Sequence, residues 1–237
     1  INGRTLVPVR AVAEAFGAYV NWDNNTSTVN IKTANNTTKE LSLSLSNGKT
    51  VTIGWNIDEL TEELLWPNRI EISTFGLEWY VYNNDYNNFV MVAVYAGKVC
   101  GFYTNSKGFS LNNGIYYGCS SDININPSKN VQIEYFFDKY SNNTLYAVLV
   151  LPGDRNYLDD PIYTAETIPK EFFHVQSLDN FDATNAFRAN YGLKPLLWEE
   201  YAAVAAADHS QDMADKNYFS HISPDGRSAL DRYLEIN

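Results

Sequence analysis

From residue 69 onward the hydrophobic period of this chain changes once, and that change limits what it can fold into. From about Arg69 to Leu151 the apolar residues fall in short β-branched or aromatic runs: Phe89 to Tyr95, Val99 to Tyr103, Val131 to Phe137 and Thr144 to Leu151. Gly, Asn and Ser clusters separate them, as they separate strands. From Asp182 onward the spacing is helical. One helix is predicted through Asn185, Phe187, Arg188 and Tyr191, stopped by Gly192. A second runs from near Leu197 to about Lys216, with Tyr201, Ala205, His209 and Met213 four apart on one stripe. Strands first and helices afterwards predict an α+β chain.

The first thirty residues are a helix followed by a hairpin. Val9, Val12, Ala13 and Phe16 recur at helical spacing before Gly17. Tyr19 to Trp22 and Thr28 to Ile31 then alternate around the turn residues Asp23, Asn24 and Asn25. A second hairpin follows, in which Leu41, Leu43 and Leu45 lead through Asn47-Gly48 to Val51 and Ile53. Asn56 with Glu59 three residues later predicts a capped helix start, with Ile57, Leu60 and Leu64 on one face and Pro67 as the stop. These pieces are expected to complete a first small module over 1–66. A strand-rich domain is expected over 67–155 and a Pro-containing linker over 156–176. Helices are expected over 177–237.

Charge and composition remove several function classes. Seventeen basic against twenty-eight acidic residues give a net charge of −11, a field that repels nucleic acid. No stretch approaches the ~18 apolar residues of a membrane span. The signature of a signal peptide is absent, and Ile1 opens inside a recognisable pattern, so the chain reads as trimmed at its front. Cys100 and Cys119 sit in similar strand-like settings and read either as one disulfide closing a short loop or as two buried thiols. No His-Glu-x-x-His, Gly-x-Ser-x-Gly or phosphate-cradling loop occurs. His174, between Phe173 and Val175, reads as a packing residue, and the aromatic residues of the middle domain as core and sheet surface.

Three resemblances follow from the motifs. Leu6-Val7-Pro8-Val9-Arg10-Ala11-Val12-Ala13-Glu14-Ala15-Phe16-Gly17-Ala18, with Trp22-Asp23 and Thr28-Val29-Asn30-Ile31, resembles the copper amine oxidase N-terminal-like module of secreted bacterial proteins. The resemblance implies a structural or attachment role; the segment has no His, Cys or Met, so no copper is expected there. Trp79-Tyr80-Val81-Tyr82, a strand, Gly97-Lys98-Val99 and a Tyr-rich strand resemble the CAP-associated domain. Asn185-Ala186-Phe187-Arg188, Tyr191 to Trp198, His209 to Ala214, Tyr218 to Gly226 and Asp231-Arg232 resemble the opening of a bacterial CAP domain. That is the family of cysteine-rich secretory, antigen-five and pathogenesis-related proteins.

The last resemblance implies an α-β-α sandwich, incomplete here, with a cleft of two His and two acidic residues that holds zinc or another divalent cation in some members. His221 matches the first cleft histidine, and the other three positions are not found before Asn237. No cofactor is therefore expected in this chain, and a metal at His221 only with a full CAP domain present. His209 is expected to be a buried, hydrogen-bonded packing histidine. Glu199 and Glu200 are expected to open their helix favourably for its dipole. Asp231-Arg232 reads as a local ion pair or a solvated helix face. The terminal helices are expected to dock on the middle domain, to pair with another chain, or to be poorly ordered.

The resemblance implies an extracellular or wall-associated bacterial protein. Three roles are open. One is a non-enzymatic protein binding a wall or envelope component, a lipid or a protein. Another is a metal-dependent hydrolase using a His/Glu cleft, and the last is a structural spore or envelope protein.

Overall fold

The computed structural model describes residues 18–23, 28–33, 40–73, 76–122, 131–153 and 168–237. The helix expected before Gly17 lies outside them. The first hairpin pairs β1 (Ala18–Asp23) with β2 (Thr28–Thr33) in antiparallel register, Ala18 opposite Thr33 and Asp23 opposite Thr28. The second pairs β3 (Ser42–Ser44) with β4 (Thr50–Thr52), and Gly48 takes the left-handed conformation that the Asn-Gly turn requires. Helix α1 (Ile57–Leu64) starts with the expected reciprocal cap: the Glu59 amide donates to Asn56 Oδ1 at 2.9 Å and the Asn56 amide donates to Glu59 Oε2 at 2.8 Å.

Strands β5 (Arg69–Ile72), β6 (Glu78–Tyr82), β7 (Val90–Tyr95) and β8 (Lys98–Thr104) form an antiparallel meander, with a short 3₁₀ turn at Tyr86–Asn88 between β6 and β7. The two-residue β9 (Ser110–Leu111) leaves that sheet and pairs with β3. Strands β10 (Val131–Asp138) and β11 (Thr144–Pro152) return as a hairpin, and β11 pairs with β8. The six-stranded order is β10-β11-β8-β7-β6-β5, beside a three-stranded sheet β4-β3-β9. Strands β8 and β11 approach closely at Gly101, where a Cβ would collide with the Val150 carbonyl oxygen.

Alternation along β7 gives the sheet two buried faces. Val90, Val92 and Val94 point to one side with Phe102, Val148 and Val150, and there they meet Leu41, Leu43, Leu45, Val51 and Leu60. Each such fully buried side chain contributes about 1.5–3 kcal/mol. The hairpin β3–β4 and α1 thus share the core of the middle sheet, so the packing does not follow a module boundary at residue 66. Met91 points the other way with Val81 and Phe89, and this face carries Ala186 of α2 (Lys170–Asn190). The sequence signal for that helix began only at Asp182, because Pro169 and the polar residues after it read as linker; the helix starts immediately after Pro169, which serves as its N-cap.

Helices α3 (Glu200–Lys216) and α4 (Ala229–Ile236) follow and pack on each other. Glu199 caps α3 by accepting the Ala202 amide at 2.6 Å. The terminal helices reach the middle domain through α2. No helix among the described residues is long and apolar enough to cross a membrane.

Candidate functional site

Helix α2 is held to the sheet by a polar cluster. Arg69 on β5 bonds Glu71 through Nε, Asp182 Oδ2 through Nη1 at 2.7 Å, and Asp179 Oδ1 through Nη2 at 3.1 Å. The second Asp182 oxygen accepts from Asn83 Nδ2 at 2.9 Å and from the Tyr86 hydroxyl at 2.7 Å. Three carboxylates therefore face one guanidinium at a site where Glu71 and Asp182 are almost fully buried, and Glu71 Oε2 has no partner. Burial pushes the Asp179 carboxyl up to about 6, against the opposing pull of Arg69. Farther along, Asn105 Nδ2 donates to the Ala183 carbonyl at 2.8 Å, and Asn190 ties both the Asn105 carbonyl and the Lys107 amide. With the Asn83 and Tyr86 bonds to Asp182, these tie α2 to two separate loops and fix its direction across the sheet.

Beside this junction lies an open groove of about 680 Å³ between the β10–β11 hairpin and α2. Tyr103, Tyr140, Tyr146 and Phe187 line it with Asn105 and Asn180. Burial pushes the Tyr103 hydroxyl up to about 12, with Tyr146 adding to the effect.

The segment after α3 forms a second polar cluster. His209 is buried on α3, and its Nε2 lies 2.8 Å from the Ser220 carbonyl, as expected of a packing histidine. The Tyr218 hydroxyl donates to Asp212 Oδ2 at 2.6 Å. Lys216, then Tyr218, hold the Asp212 carboxyl below its ordinary value. Arg232 is buried. Its guanidinium donates to Ser223 Oγ at 3.0 Å, the Arg227 carbonyl at 2.9 Å and the His221 carbonyl at 3.2 Å. Neither reading of Asp231-Arg232 anticipated this: Asp231 caps α4 through Ser228, while Arg232 ties down the loop before it. A cleft of about 270 Å³ opens beside these groups, bordered by Asp208, Arg227 and Glu235.

His221 is exposed on that loop, engaged through its carbonyl. No group of three His, Cys, Asp or Glu among the described residues is placed to hold a metal ion. His174 is not buried. It lies on the surface of α2 with its ring edge-on to Trp198 at 5.7 Å.

Cys100 and Cys119 are not joined to each other. The disulfide reading fails because the two residues serve opposite faces of the sheet. Cys100 packs beside Leu77 and Ala93 and its Sγ donates to the Ala93 carbonyl, while Cys119 is buried with Phe102 and Val148.

Comparison with known proteins agrees with this architecture. Residues 1–57 match the copper amine oxidase N-terminal domain, residues 53–125 the CAP-associated N-terminal family, and residues 181–236 the cysteine-rich secretory protein family, CAP. A Bacillus subtilis (strain 168) protein named uncharacterized membrane protein YlbC is 28% identical, over 77% of this chain and 65% of its own length. A second from the same organism, uncharacterized protein YkwD, is 50% identical over 50 residues, 21% of this chain and 20% of that protein. The chain thus spans less than two thirds of either relative.

The crystal structure of an extracellular protein containing an SCP domain from Bacillus anthracis str. Ames superposes with a TM-score of 0.64 at 25% identity, covering 77% of this chain and 74% of that one. A cysteine-rich secretory protein from Staphylococcus aureus subsp. aureus Mu50 shares the fold at 18% identity and TM-score 0.52, over 77% and 71% of the two chains. In chain order, then, a segment that matches the copper amine oxidase N-terminal domain and one that matches the CAP-associated N-terminal family precede helices that match the cysteine-rich secretory protein family, CAP, and the α+β arrangement with its docked α2 is similar to the SCP-domain structure from Bacillus anthracis.

Proposed function

We propose that this chain belongs to an extracellular or wall-associated envelope protein of a Gram-positive bacterium that binds an envelope component rather than cleaving one. One observation carries the reading. The groups of the CAP segment best suited to chemistry, His209, Asp212, Tyr218 and Arg232, bond one another and their own loop. A nucleophile or general base needs its partner within hydrogen-bond reach of a reacting atom, and these side chains are committed to holding the fold. The description of the Bacillus anthracis neighbour as extracellular supports the location.

The test is co-sedimentation of the chain with purified, protein-free peptidoglycan, alongside assays for released muropeptides and for peptide hydrolysis. Binding without release supports the proposal; stoichiometric turnover of either substrate overturns it. The exposed His221 keeps a hydrolytic reading in view, as the candidate cleft residue of a CAP domain with a metal supplied. Loss of any measured hydrolysis in His221→Ala, with sedimentation unchanged, would favour that second reading.

A further inference from the structure

We infer that the groove between the β10–β11 hairpin and α2 is a binding site for a neutral oligosaccharide. The inference deepens the proposed envelope binding and rests on it. Pockets tend to form where two modules meet, and here the walls come from both: Tyr103 and Tyr146 from the sheet with Tyr140 from the β10–β11 turn, and Phe187 and Asn180 from the CAP helix. A hexose ring has an apolar C–H face and a rim of hydroxyls. It needs aromatic faces to lie on and neutral donors and acceptors around them.

The groove supplies both. Phe187 and Tyr140 are exposed, at 41% and 87%. Lys139 Nζ lies 4.9 Å from the Tyr140 ring centroid, a cation–π contact that restricts the side chain. Asn105 is 3% exposed and borders the groove; its Nδ2 is used on Ala183, while its Oδ1 has no hydrogen-bond partner. A buried amide oxygen left unpaired is unfavourable, and a ligand hydroxyl or its bridging water relieves that cost after a small rotation of the amide. The Arg69 cluster and Asn190 hold the α2 wall in place, so little ordering of that wall is needed on binding.

Charge selects the ligand class. Asp138 and Lys139 at one lip carry one charge of each sign, and the chain as a whole carries −11. An anionic polymer gains nothing from such a site and is repelled by the protein around it. A neutral saccharide is not.

The full chain is titrated calorimetrically with a β-1,4-linked N-acetylglucosamine tetramer and, in parallel, sedimented with protein-free peptidoglycan. Two variants at exposed positions are compared with it: Tyr140→Ala/Phe187→Ala, which removes the stacking faces, and Thr184→Trp, which fills the groove. Loss of two aromatic contacts makes the expected weakening about tenfold or more for the double variant, in both assays, with the thermal midpoint preserved. If peptidoglycan binds the parent and both variants alike, the groove assignment is overturned while envelope binding stands. If free stem peptide competes and the tetramer does not, the saccharide class is wrong. If the parent binds neither ligand, this inference and the proposed function fall together.

Discussion

Replacing Arg69 by Met removes the guanidinium that ties α2 to the sheet and keeps much of the side chain's apolar stem. Three carboxylates are left around the vacated position, two of them almost fully buried. Removing one partner of a buried ion pair costs about 3–5 kcal/mol, and the 21% exposure of Arg69 puts the expectation at the lower end, about 3 kcal/mol. That is roughly a hundredfold rise in the fraction of molecules with α2 undocked. Hydrogen exchange of peptides from 170–190, followed by mass spectrometry at pH 7.5, reads this fraction directly. Protection that changes by less than threefold would refute the reasoning.

The same cluster sets a pH dependence whose sign follows from Asp179. Its carboxyl is raised from 3.8 to about 6 when α2 is docked. The docked state therefore keeps a proton that the undocked helix has lost. Docking is strongest below pH ~4, weakens as pH rises through the window from about 4 to 6, and is level above it. Two pH units correspond to an upper bound of about 3 kcal/mol; partial exposure of Asp179 and its sharing of Arg69 reduce the expectation to about 1 kcal/mol, or fivefold. Glu71, Asp182 and Tyr86 are the other titratable groups facing this site with Arg69. In Asp179→Asn the dependence should vanish and α2 should be more protected at pH 7.5 than in the parent.

Three further outcomes are expected. His209→Ala removes the bond to the Ser220 carbonyl and leaves a void under the 217–223 loop, so exchange there should accelerate at a cost of about 2–3 kcal/mol. Gly101→Ala forces a methyl onto the Val150 carbonyl where β8 meets β11, and calorimetry should show a loss of about 1–3 kcal/mol. His221→Ala should leave the thermal midpoint within about 1 °C of the parent, since the imidazole is exposed and its carbonyl contact to Arg232 survives.

Much of this fold is legible in the sequence, for reasons that can be named. The strands β7, β8, β10 and β11 were predicted within two residues because β-branched runs bounded by Gly and Asn have few alternatives. The Asn56–Glu59 cap and the Asn47-Gly48 turn are local rules obeyed locally. What was missed depends on residues far apart in the chain. Leu41, Leu43 and Leu45 show that a strand has one apolar face, but not which sheet that face meets. The first half of α2 has charged and polar residues on both sides of its apolar ones, so periodicity was silent until Asp182. Arg69, Asp179 and Asp182 are unremarkable as single letters, and only the docking of α2 places them together. Neither the ion-pair nor the solvated-face reading of Asp231-Arg232 places the Arg232 guanidinium on Ser223 and the Arg227 and His221 carbonyls, because those partners come from a preceding loop whose path the sequence does not show. The aromatic residues expected to be core or sheet surface include Tyr103 and Tyr146, which line a groove because α2 supplies its other wall.

The pairing of β3 with β9 also bears on how the chain is made. Leu43 lies opposite Leu111, about seventy residues later. At about 5–20 residues per second, a ribosome delivers the β3–β4 hairpin several seconds before the strand that flanks it exists. Until β7 and β8 have also been made, Leu41, Leu43 and Leu45 have no sheet to cover them. The interval is the period in which the nascent chain is most open to mispairing. A chaperone that shields short apolar strands, or export of the chain unfolded with folding after delivery, would each remove that hazard.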